Sequence, residues 1–340
     1  MKKYRALFVL FILILDFGSC EGQFLNDEYK GGDWFYLENN EAVMPVWVRG
    51  NKSSNVFVVF LHGGPGNTSL DAAISPAHRQ LQNEYAVVYY DQRGSGGSQG
   101  NSKPDSFTVE QFVEDLQKIV YVIRHKYNNP SIFLMGHSWG GGLGTAYLLD
   151  IRNQLYISGW IGSASAHNFE EGMKLSWAWV KDKASEKINA GLDVNYWEKE
   201  LGWYNTASCT WDNFMNRHAN NVDKLGGYYY NPANRKDFPR WASPLPILYF
   251  LNSNNVQKSF NLEKFNLSSQ MHKIKIPSVI IWGKHDGILP VELAQNAYDN
   301  LGTNNEDKYL YIFEESAHSL QNEEPDLFVH IVKKFIEKYR

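Results

Sequence analysis

The chain has 340 residues, of which 43% are hydrophobic and 21% are charged. This composition is typical of a folded globular protein and excludes a disordered or fibrous one. The 33 basic and 37 acidic residues give a net charge of −4, so there is no basic excess that would indicate a nucleic acid partner.

The N-terminus has the features of an export signal. A short basic start precedes an unbroken apolar run over residues 6–15. Since a membrane-spanning helix needs roughly 20 apolar residues, this run is instead typical of a secretory signal. The Gly and Ser directly before Cys20 resemble the cleavage and lipidation site of a bacterial lipoprotein. We predict a signal over residues 1–20, export to the cell envelope or periplasm, and membrane attachment through a lipidated Cys20, with plain secretion and an uncleaved anchor as alternatives.

Apolar runs beyond the signal predict a β-sheet. Residues 22–49 resemble a leading β-hairpin region. Continuous runs of apolar and β-branched residues follow at 56–61, 85–90, 132–135, 157–162, 279–282 and 309–313. Strands that are apolar on both faces are typical of a parallel sheet that helices cover on both sides.

Helical patterns lie between these strands. The predicted helices cover residues 108–126, 140–150, 291–301 and 325–339. The first begins with a Thr-Val-Glu-Gln capping pattern and then carries apolar residues at helical spacing. The alternation of strand and helix predicts an α/β protein with a mostly parallel, doubly wound sheet.

Residues 167–273 interrupt this alternation. They are rich in Trp, Tyr and Asn, and their patterns indicate helices and loops. An insertion at this point lies above the carboxyl ends of the strands, where ligands bind in such sheets. We predict a helical cap over residues 167–273, on a core formed by residues 22–166 and 274–340.

The strongest chemical signal is the sequence Gly-His-Ser-Trp-Gly at residues 136–140. It matches the Gly-x-Ser-x-Gly nucleophile elbow, in which a sharp strand-to-helix turn exposes the serine hydroxyl above the sheet. The motif follows a predicted strand and opens a predicted helix, which is the context that the elbow requires. We predict Ser138 as the nucleophile.

A serine hydroxyl needs a base and a group that orients this base. Asp286 and His318 follow the last two predicted strands, in the chain order Ser, Asp, His that the elbow uses. We predict them as the orienting acid and the general base. His285 precedes the acid and is therefore in the wrong order for the base, and Asp91 beside Arg93 is more simply explained as holding its loop.

Acyl transfer also needs backbone N–H donors for the oxyanion that forms. They come from the residue after the nucleophile and from a loop after an early strand. These positions are Trp139 and the His-Gly-Gly-Pro-Gly loop at residues 62–66. No cluster of His and carboxylates has metal-ligand spacing, and the glycine-rich residues 94–98 lack the lysine of a phosphate-binding loop. We predict no cofactor and no metal.

These segments resemble the proline iminopeptidase family of α/β-hydrolases. The resemblance rests on residues 62–66, on Asp-Gln-Arg-Gly-Ser-Gly-Gly-Ser at 91–98 and on residues 136–141, with similar order and spacing. It covers residues 45–165 and 275–340, the core on both sides of the cap.

The resemblance implies an α/β-hydrolase fold with a cap, no cofactor, and oxyanion donors at Gly64 and Trp139. It also implies cleavage of an N-terminal residue, often proline, from short peptides. In that family acidic cap residues bind the free amine of the substrate. Glu170, Glu171 and Glu198 are the candidates here, and each has the alternative of a solvated helix residue.

Three functions remain to be compared. The leading hypothesis is an exported aminopeptidase-like serine hydrolase that acts on short peptides. The alternative is a carboxylesterase or lipase-like enzyme for apolar acyl esters, which the aromatic-rich cap favours. A non-catalytic binding module is the third, and the complete triad argues against it. The sequence leaves the oligomeric state open.

Overall fold

A computed structural model of the protein describes residues 32–235, 256–257, 259–260 and 262–340. The signal predicted over residues 1–20, with Cys20, lies outside the described residues. So do residues 236–255 of the predicted cap.

One mixed sheet organises the described chain. Its strands are β1 (Asp33–Asn39), β2 (Ala42–Gly50), β3 (Val56–Leu61), β4 (Ala86–Tyr90), β5 (Gln99–Gly100), β6 (Ser131–His137), β7 (Gly159–Ser163), β8 (Ser278–Gly283) and β9 (Lys308–Phe313). The strand order is β1-β2-β4-β3-β6-β7-β8-β9, and β5 pairs with β2. Every pair from β4 to β9 along this order is parallel, whereas β2 pairs antiparallel with its neighbours. The prediction of a mostly parallel sheet is confirmed, with an antiparallel edge.

Burial explains why the strand runs have their composition. All residues of β3, β4, β7 and β8 are buried, which matches their continuous apolar runs. Strand β1 lies at the edge of the sheet and alternates between exposed and more buried residues along most of its length. Continuous apolar runs therefore mark the strands that have helices on both faces.

Helices connect the strands. They are α1 (Leu70–Ala73), α2 (Pro76–Glu84), α3 (Val109–Lys126), α4 (Trp139–Leu148), α5 (Ile151–Gln154), α6 (Phe169–Asn189), α7 (Val194–Tyr204), α8 (Trp211–Asn213), α9 (Ala219–Lys224), α10 (Glu292–Asn300), α11 (Leu320–Glu323) and α12 (Pro325–Tyr339), with a π-helical turn at Phe214–His218. Short 3-10 turns lie at Lys52–Ser54, Pro104–Ser106, Pro232–Asn234, Leu262–Lys264 and Ser268–Lys273. The Thr108 hydroxyl accepts from the Gln111 N–H at 3.2 Å, which is the predicted cap of α3.

Aromatic contacts show that helices cover both faces of the sheet. Phe60 of β3 packs against His78 of α2, and Phe133 of β6 packs against Phe335 of α12. Phe57 of β3 faces the opposite way, because it is an odd number of residues from Phe60, and packs against Tyr127 at the end of α3. The sheet is therefore wound on both sides, as predicted.

The helices after β7 are inserted between two neighbouring strands of the sheet. The chain leaves β7, forms α6 to α9, and returns to β8 beside it. At the exit and return the backbone is paired: the Phe169 N–H donates to the Phe265 carbonyl and the Leu267 N–H to the His167 carbonyl, both at 2.8 Å. In the part of the chain that the structure describes, no helix combines the length and the apolar character needed to cross a bilayer.

Candidate active site

Ser138 occupies the sharp turn between β6 and α4. Its backbone has φ 57° and ψ −125°, outside the regions that residues with a side chain normally adopt. Local strain of this kind is found at active sites, and in the nucleophile elbow it presents the hydroxyl above the sheet. The Gly141 N–H donates to the Ser138 carbonyl at 2.8 Å, which fixes the turn.

The two glycines of the elbow are required by close approach. A Cβ on Gly140 would collide with the carbonyl oxygen of Leu61 at the end of β3. One on Gly136 would collide with the Gly140 carbonyl and would lie 2.7 Å from the Trp160 ring. The start of α4 can therefore lie against the end of β3 only because residue 140 lacks a side chain, and the turn can close over residue 136 only because this residue lacks one as well.

Asp286 and His318 are in direct contact. Asp286 follows β8 and His318 follows β9, and the Asp286 Oδ2 lies 2.8 Å from the His318 Nδ1. The other carboxylate oxygen accepts from the N–H groups of Ile288 and Leu289 at 2.9 and 2.8 Å. Since a carboxylate faces Nδ1, that nitrogen carries the proton and the basic lone pair is on Nε2.

Both members of this pair are buried, at 1% and 3% exposure. Burial raises the pKa of the Asp286 carboxyl, while His318 and the two amide donors oppose this rise. The carboxylate therefore has a fixed orientation and fixed partners, so it can hold the imidazole in one tautomer.

His318 lies against the neighbour of the serine. Its ring centroid is 4.9 Å from that of His137, the residue before Ser138, and 5.6 Å from that of Tyr228. Within the described residues no hydrogen bond joins the Ser138 hydroxyl to His318. Such hydrogen bonds are often long without substrate and shorten when substrate binds. The structure thus joins the predicted acid to the predicted base and brings the His318 ring beside the turn at Ser138.

The loop after β3 lies against the serine. A Cβ on Gly63 would be 3.1 Å from the Ser138 Cβ and 3.6 Å from its Oγ. The next residue, Gly64, has a φ of +118°, a conformation that favours glycine. Trp139 begins α4, so its N–H is one of those that a helix start leaves unpaired. The loop that carries Gly64 therefore lies against the serine, and Trp139 follows the serine directly at the start of α4.

Asp91 holds the second glycine-rich loop. Its Oδ1 accepts from the Thr68 hydroxyl and from the N–H and hydroxyl of Ser69, and its Oδ2 accepts from the Gly97 N–H at 2.7 Å. His285 stacks on Tyr230, with ring centroids 4.0 Å apart. Neither Asp91 nor His285 contacts His318 by a hydrogen bond, and Asp91 holds its loop as its position beside Arg93 suggested.

Of the three predicted amine-binding carboxylates, Glu170 and Glu171 lie on the first turn of α6 and Glu198 lies on the second turn of α7. Glu170 and Glu171 are paired with Lys174 at 3.1 and 3.8 Å, and Glu198 is exposed. Within the described residues no hydrogen bond or ion pair joins them to Ser138, Asp286 or His318. Their role in substrate binding stays a prediction.

Sequence reasoning missed the buried carboxylate of the inserted helices, Glu200. It accepts two hydrogen bonds of 2.8 Å from Arg217 and one of 2.7 Å from Asn221. The Arg217 guanidinium holds the pKa of the Glu200 carboxyl below its usual value. Helical spacing could have identified it, because the buried Trp197 and Tyr204 lie on the same face of α7.

A buried polar chain connects the inserted helices to the loop of Asp286. Tyr204 donates to the Nδ1 of His218 at 2.8 Å, and the Nε2 of His218 lies 2.7 Å from the Ser176 hydroxyl. Ser176 in turn donates to the carbonyl of Gly287, the residue after Asp286. Burial lowers the pKa of His218 to about 3, so its ring is neutral and donates to Ser176.

A second connection reaches the loop of His318. The Ser319 N–H donates to the Tyr228 carbonyl at 3.1 Å, and the Asn231 N–H donates to Glu323 at 3.0 Å. Glu323 also accepts from the Ala317 N–H at 2.8 Å, beside His318. Tyr228 and Asn231 of the insertion are therefore hydrogen-bonded to the segment around His318.

Aromatic side chains surround Trp139, the residue after Ser138. Phe260, Phe265 and Phe112 have ring centroids 4.7, 5.5 and 6.2 Å from that of Trp139. The surroundings of this side chain are thus largely apolar. Among the described residues, no group of three or more His, Cys, Asp and Glu side chains could hold a metal ion.

A family model and individual relatives agree on the family to which the chain is similar. A family model described as alpha/beta hydrolase fold matches residues 56–325. The Bacillus subtilis protein named "Probable aminopeptidase YbaC" is 26% identical over 304 residues, which cover 85% of this chain and 91% of the relative. A proline iminopeptidase of Saccharolobus solfataricus is 26% identical over 291 residues, covering 84% of this chain and 86% of the relative.

A solved structure shares the fold. The crystal structure of a proline iminopeptidase from Mycobacterium smegmatis matches with a TM-score of 0.66 and 17% identity. The match covers 90% of this chain and 98% of the other. At this identity the likeness concerns the fold.

Proposed function

This chain belongs to the α/β-hydrolase family and is a hydrolase, and we propose that it is a serine aminopeptidase that removes N-terminal residues, proline among them, from short peptides. One observation carries the proposal: the 2.8 Å hydrogen bond between Asp286 and His318, with the His318 ring beside the strained turn at Ser138. The relatives named aminopeptidase and proline iminopeptidase support the choice of substrate.

In the proposed mechanism the Ser138 Oγ attacks the carbonyl carbon of the first peptide bond. His318 takes the hydroxyl proton on Nε2 and passes it to the leaving amine, which breaks the peptide bond. Asp286 accepts the hydrogen bond from Nδ1 and stabilises the imidazolium. Water then attacks the acyl-enzyme with His318 as base again, which releases the amino acid and restores the serine.

The oxyanion of each tetrahedral intermediate accepts from the N–H groups of Gly64 and Trp139 in this mechanism. Their support is that the loop 62–66 lies against Ser138 and that α4 begins directly after it. Fixed donors of this kind act where negative charge develops, and the loss of one costs about 3 kcal/mol in the barrier.

A substrate panel tests the proposal. We expect purified enzyme without its signal to release the fluorophore from prolyl or alanyl aminocoumarin amides, and the Ser138→Ala variant to release none above background. N-acetylated versions of the same amides are the control, since they lack the free amine. Turnover of esters but of none of the free-amine amides would reject the aminopeptidase.

An esterase for apolar acyl groups is the second candidate. It is favoured by the aromatic rings of Phe112, Phe260 and Phe265 around Trp139. A series of p-nitrophenyl esters of increasing chain length tests it. A kcat/KM that rises with chain length and exceeds that of every amide would support the esterase, and uniformly weak hydrolysis would reject it.

We also propose that the enzyme acts outside the cytoplasm, anchored by a lipidated Cys20. The support is the apolar run at residues 6–15 and the small residues before the cysteine. Labelling with a fatty acid in a bacterial host tests this. We expect label in the wild type and none in Cys20→Ser, whereas an unlabelled and soluble wild type would indicate plain secretion.

A further inference from the structure

Gln92, in the glycine-rich loop after β4, contacts both segments that flank the nucleophile. Its side-chain Nε2 donates to the His62 carbonyl at 3.0 Å. Its Oε1 accepts from the indole Nε1 of Trp139 at 2.9 Å. Its backbone N–H donates to the Nε2 of His62 at 3.1 Å. One side chain therefore joins the loop 62–66 to the start of α4.

These contacts allow only one arrangement of the amide. The indole N–H can only donate and the His62 carbonyl can only accept, so the oxygen and nitrogen of Gln92 cannot exchange positions. Gln92, His62 and Trp139 are each 1% exposed. Water cannot easily replace a partner at such a site, and a hydrogen bond left unpaired there is costly.

His62 extends the connection to the glycines. Burial lowers its pKa, so its ring is neutral. Because the Nε2 accepts from Gln92, the Nδ1 carries the proton and donates to the Gly63 carbonyl at 2.8 Å. The Gly63 carbonyl belongs to the same peptide unit as the Gly64 N–H. The ring therefore holds the peptide that presents one of the proposed oxyanion donors.

We propose that Gln92 is a positioning residue that sets the separation and direction of the two oxyanion donors, Gly64 N–H and Trp139 N–H. It fixes the first through His62 and the second through the Trp139 indole. This inference rests on the proposed serine hydrolase function. Gln92 touches no reacting atom, so its effect appears in the stabilisation of the tetrahedral intermediate and leaves ground-state binding of substrate unchanged.

The test compares Gln92→Leu, Trp139→Phe and the double variant with the wild type. Leucine has a similar size but no hydrogen-bonding group, and Trp139→Phe removes the indole N–H while keeping the backbone donor. On p-nitrophenyl butyrate, or on the alanyl amide if that is the better substrate, we expect kcat to fall 10- to 100-fold in Gln92→Leu. This range lies below the loss of a whole donor, on the order of 100- to 1,000-fold, because the donors are displaced and not removed. The KM should stay within about threefold.

Two further readouts separate positioning from a general structural role. In the double variant the effects on kcat should be strongly non-additive, since both changes break the same connection. An arylboronic acid forms a tetrahedral adduct with the serine, so its affinity should fall by a factor similar to that of kcat. The KM for the substrate should stay nearly constant across the same variants. Melting temperatures of all variants serve as the folding control.

Each outcome decides the matter. A folded Gln92→Leu with kcat within twofold of the wild type, or additive effects in the double variant, would overturn the proposal. If Gln92→Leu does not fold, Trp139→Phe alone decides, and an unchanged kcat in that variant would overturn it equally. A wild type that hydrolyses no amide or ester would reject the proposed function, and this inference with it.

Discussion

The loops at the carboxyl edge of the sheet and the helices inserted after β7 both carry buried polar side chains, but they differ in what positions these side chains. At the sheet edge Ser138, Asp286 and His318 each follow a strand whose place is fixed by the sheet. In the insertion Glu200 and His218 are placed by contacts between helices. Candidate functional residues can therefore be identified from local motifs at the sheet edge. In the insertion the buried polar residues are recognised only from the packing of the helices.

The largest expected effect lies at the sheet edge. In Asp286→Asn the amide still accepts from Ile288 and Leu289, so the loop should keep its shape. The amide donates towards the imidazole, however, and favours the wrong tautomer of His318. We expect kcat to fall about 10⁴-fold with little change in the KM, measured on the best substrate of the panel. A loss of less than tenfold in a folded variant would mean that Asp286 is not the orienting acid.

A smaller effect is expected in the insertion. In Glu200→Gln the amide nitrogen faces the donors of Arg217 or Asn221, which leaves a buried hydrogen bond unmade. We expect the free energy of unfolding to fall by about 2 kcal/mol, with kcat within about threefold of the wild type. Urea unfolding and steady-state kinetics measure the two quantities. A loss of kcat like that of Asp286→Asn would remove the contrast between the regions.

The pH dependence of stability sharpens the same contrast. Burial lowers the pKa of His218 from its usual 6.5 to about 3. Below pH 6.5 the unfolded chain takes up a proton that the folded chain does not, so stability falls as the pH falls towards 3. This histidine contributes a slope of about 1.4 kcal/mol per pH unit.

The variant His218→Gln isolates this contribution. Urea unfolding at several pH values between 4 and 6 gives the free energy of unfolding as a function of pH. The slope of this dependence should be shallower in the variant than in the wild type by about 1.4 kcal/mol per pH unit, which corresponds to one proton. The other buried histidines remain in both proteins, so their contributions cancel in the comparison. Parallel slopes would show that His218 is not neutral in the folded state.

The smallest effect is expected at Glu198, which is the exposed neighbour of Glu200 on the same helix. Glu198→Gln should change the free energy of unfolding by less than about 0.5 kcal/mol. The same variant tests the prediction that this carboxylate binds the substrate amine. A KM that rises for the alanyl amide but not for the N-acetylated amide or an ester would support that role. An unchanged KM would show that Glu198 is a solvated helix residue that does not bind the amine. Glu170→Gln and Glu171→Gln are the matching variants on α6.

The difference between the sheet and the insertion also explains which parts of the structure the sequence predicts. The central strands were predictable because their residues are apolar on both faces, and α12 was predictable to the residue because Pro325 begins it. The contact of Asp286 with His318 agrees with the predicted chain order. The helix α2 was not predicted, because its apolar positions are few, although the capping Ser75 and the first-turn Pro76 mark its start.

Other parts of the site needed the structure. The Gln92 side chain is one residue of a loop motif, and its partners His62 and Trp139 are 30 and 47 residues away in the chain. No periodicity connects such positions. The connection of Ser176 and His218 to the carbonyl of Gly287 likewise joins residues far apart in sequence. Long-range hydrogen bonds of this kind are decided by packing and leave no local pattern.

Labelling with a fluorophosphonate tests the central claim most directly, because the reagent reacts with a serine only when a base activates it. We expect one mole of label per mole of wild-type protein, located on Ser138 by peptide mass analysis. The rate should fall more than about 10³-fold in His318→Ala, since the hydroxyl loses its base. Label at another residue, or an equal rate of labelling at Ser138 without the imidazole, would contradict the account.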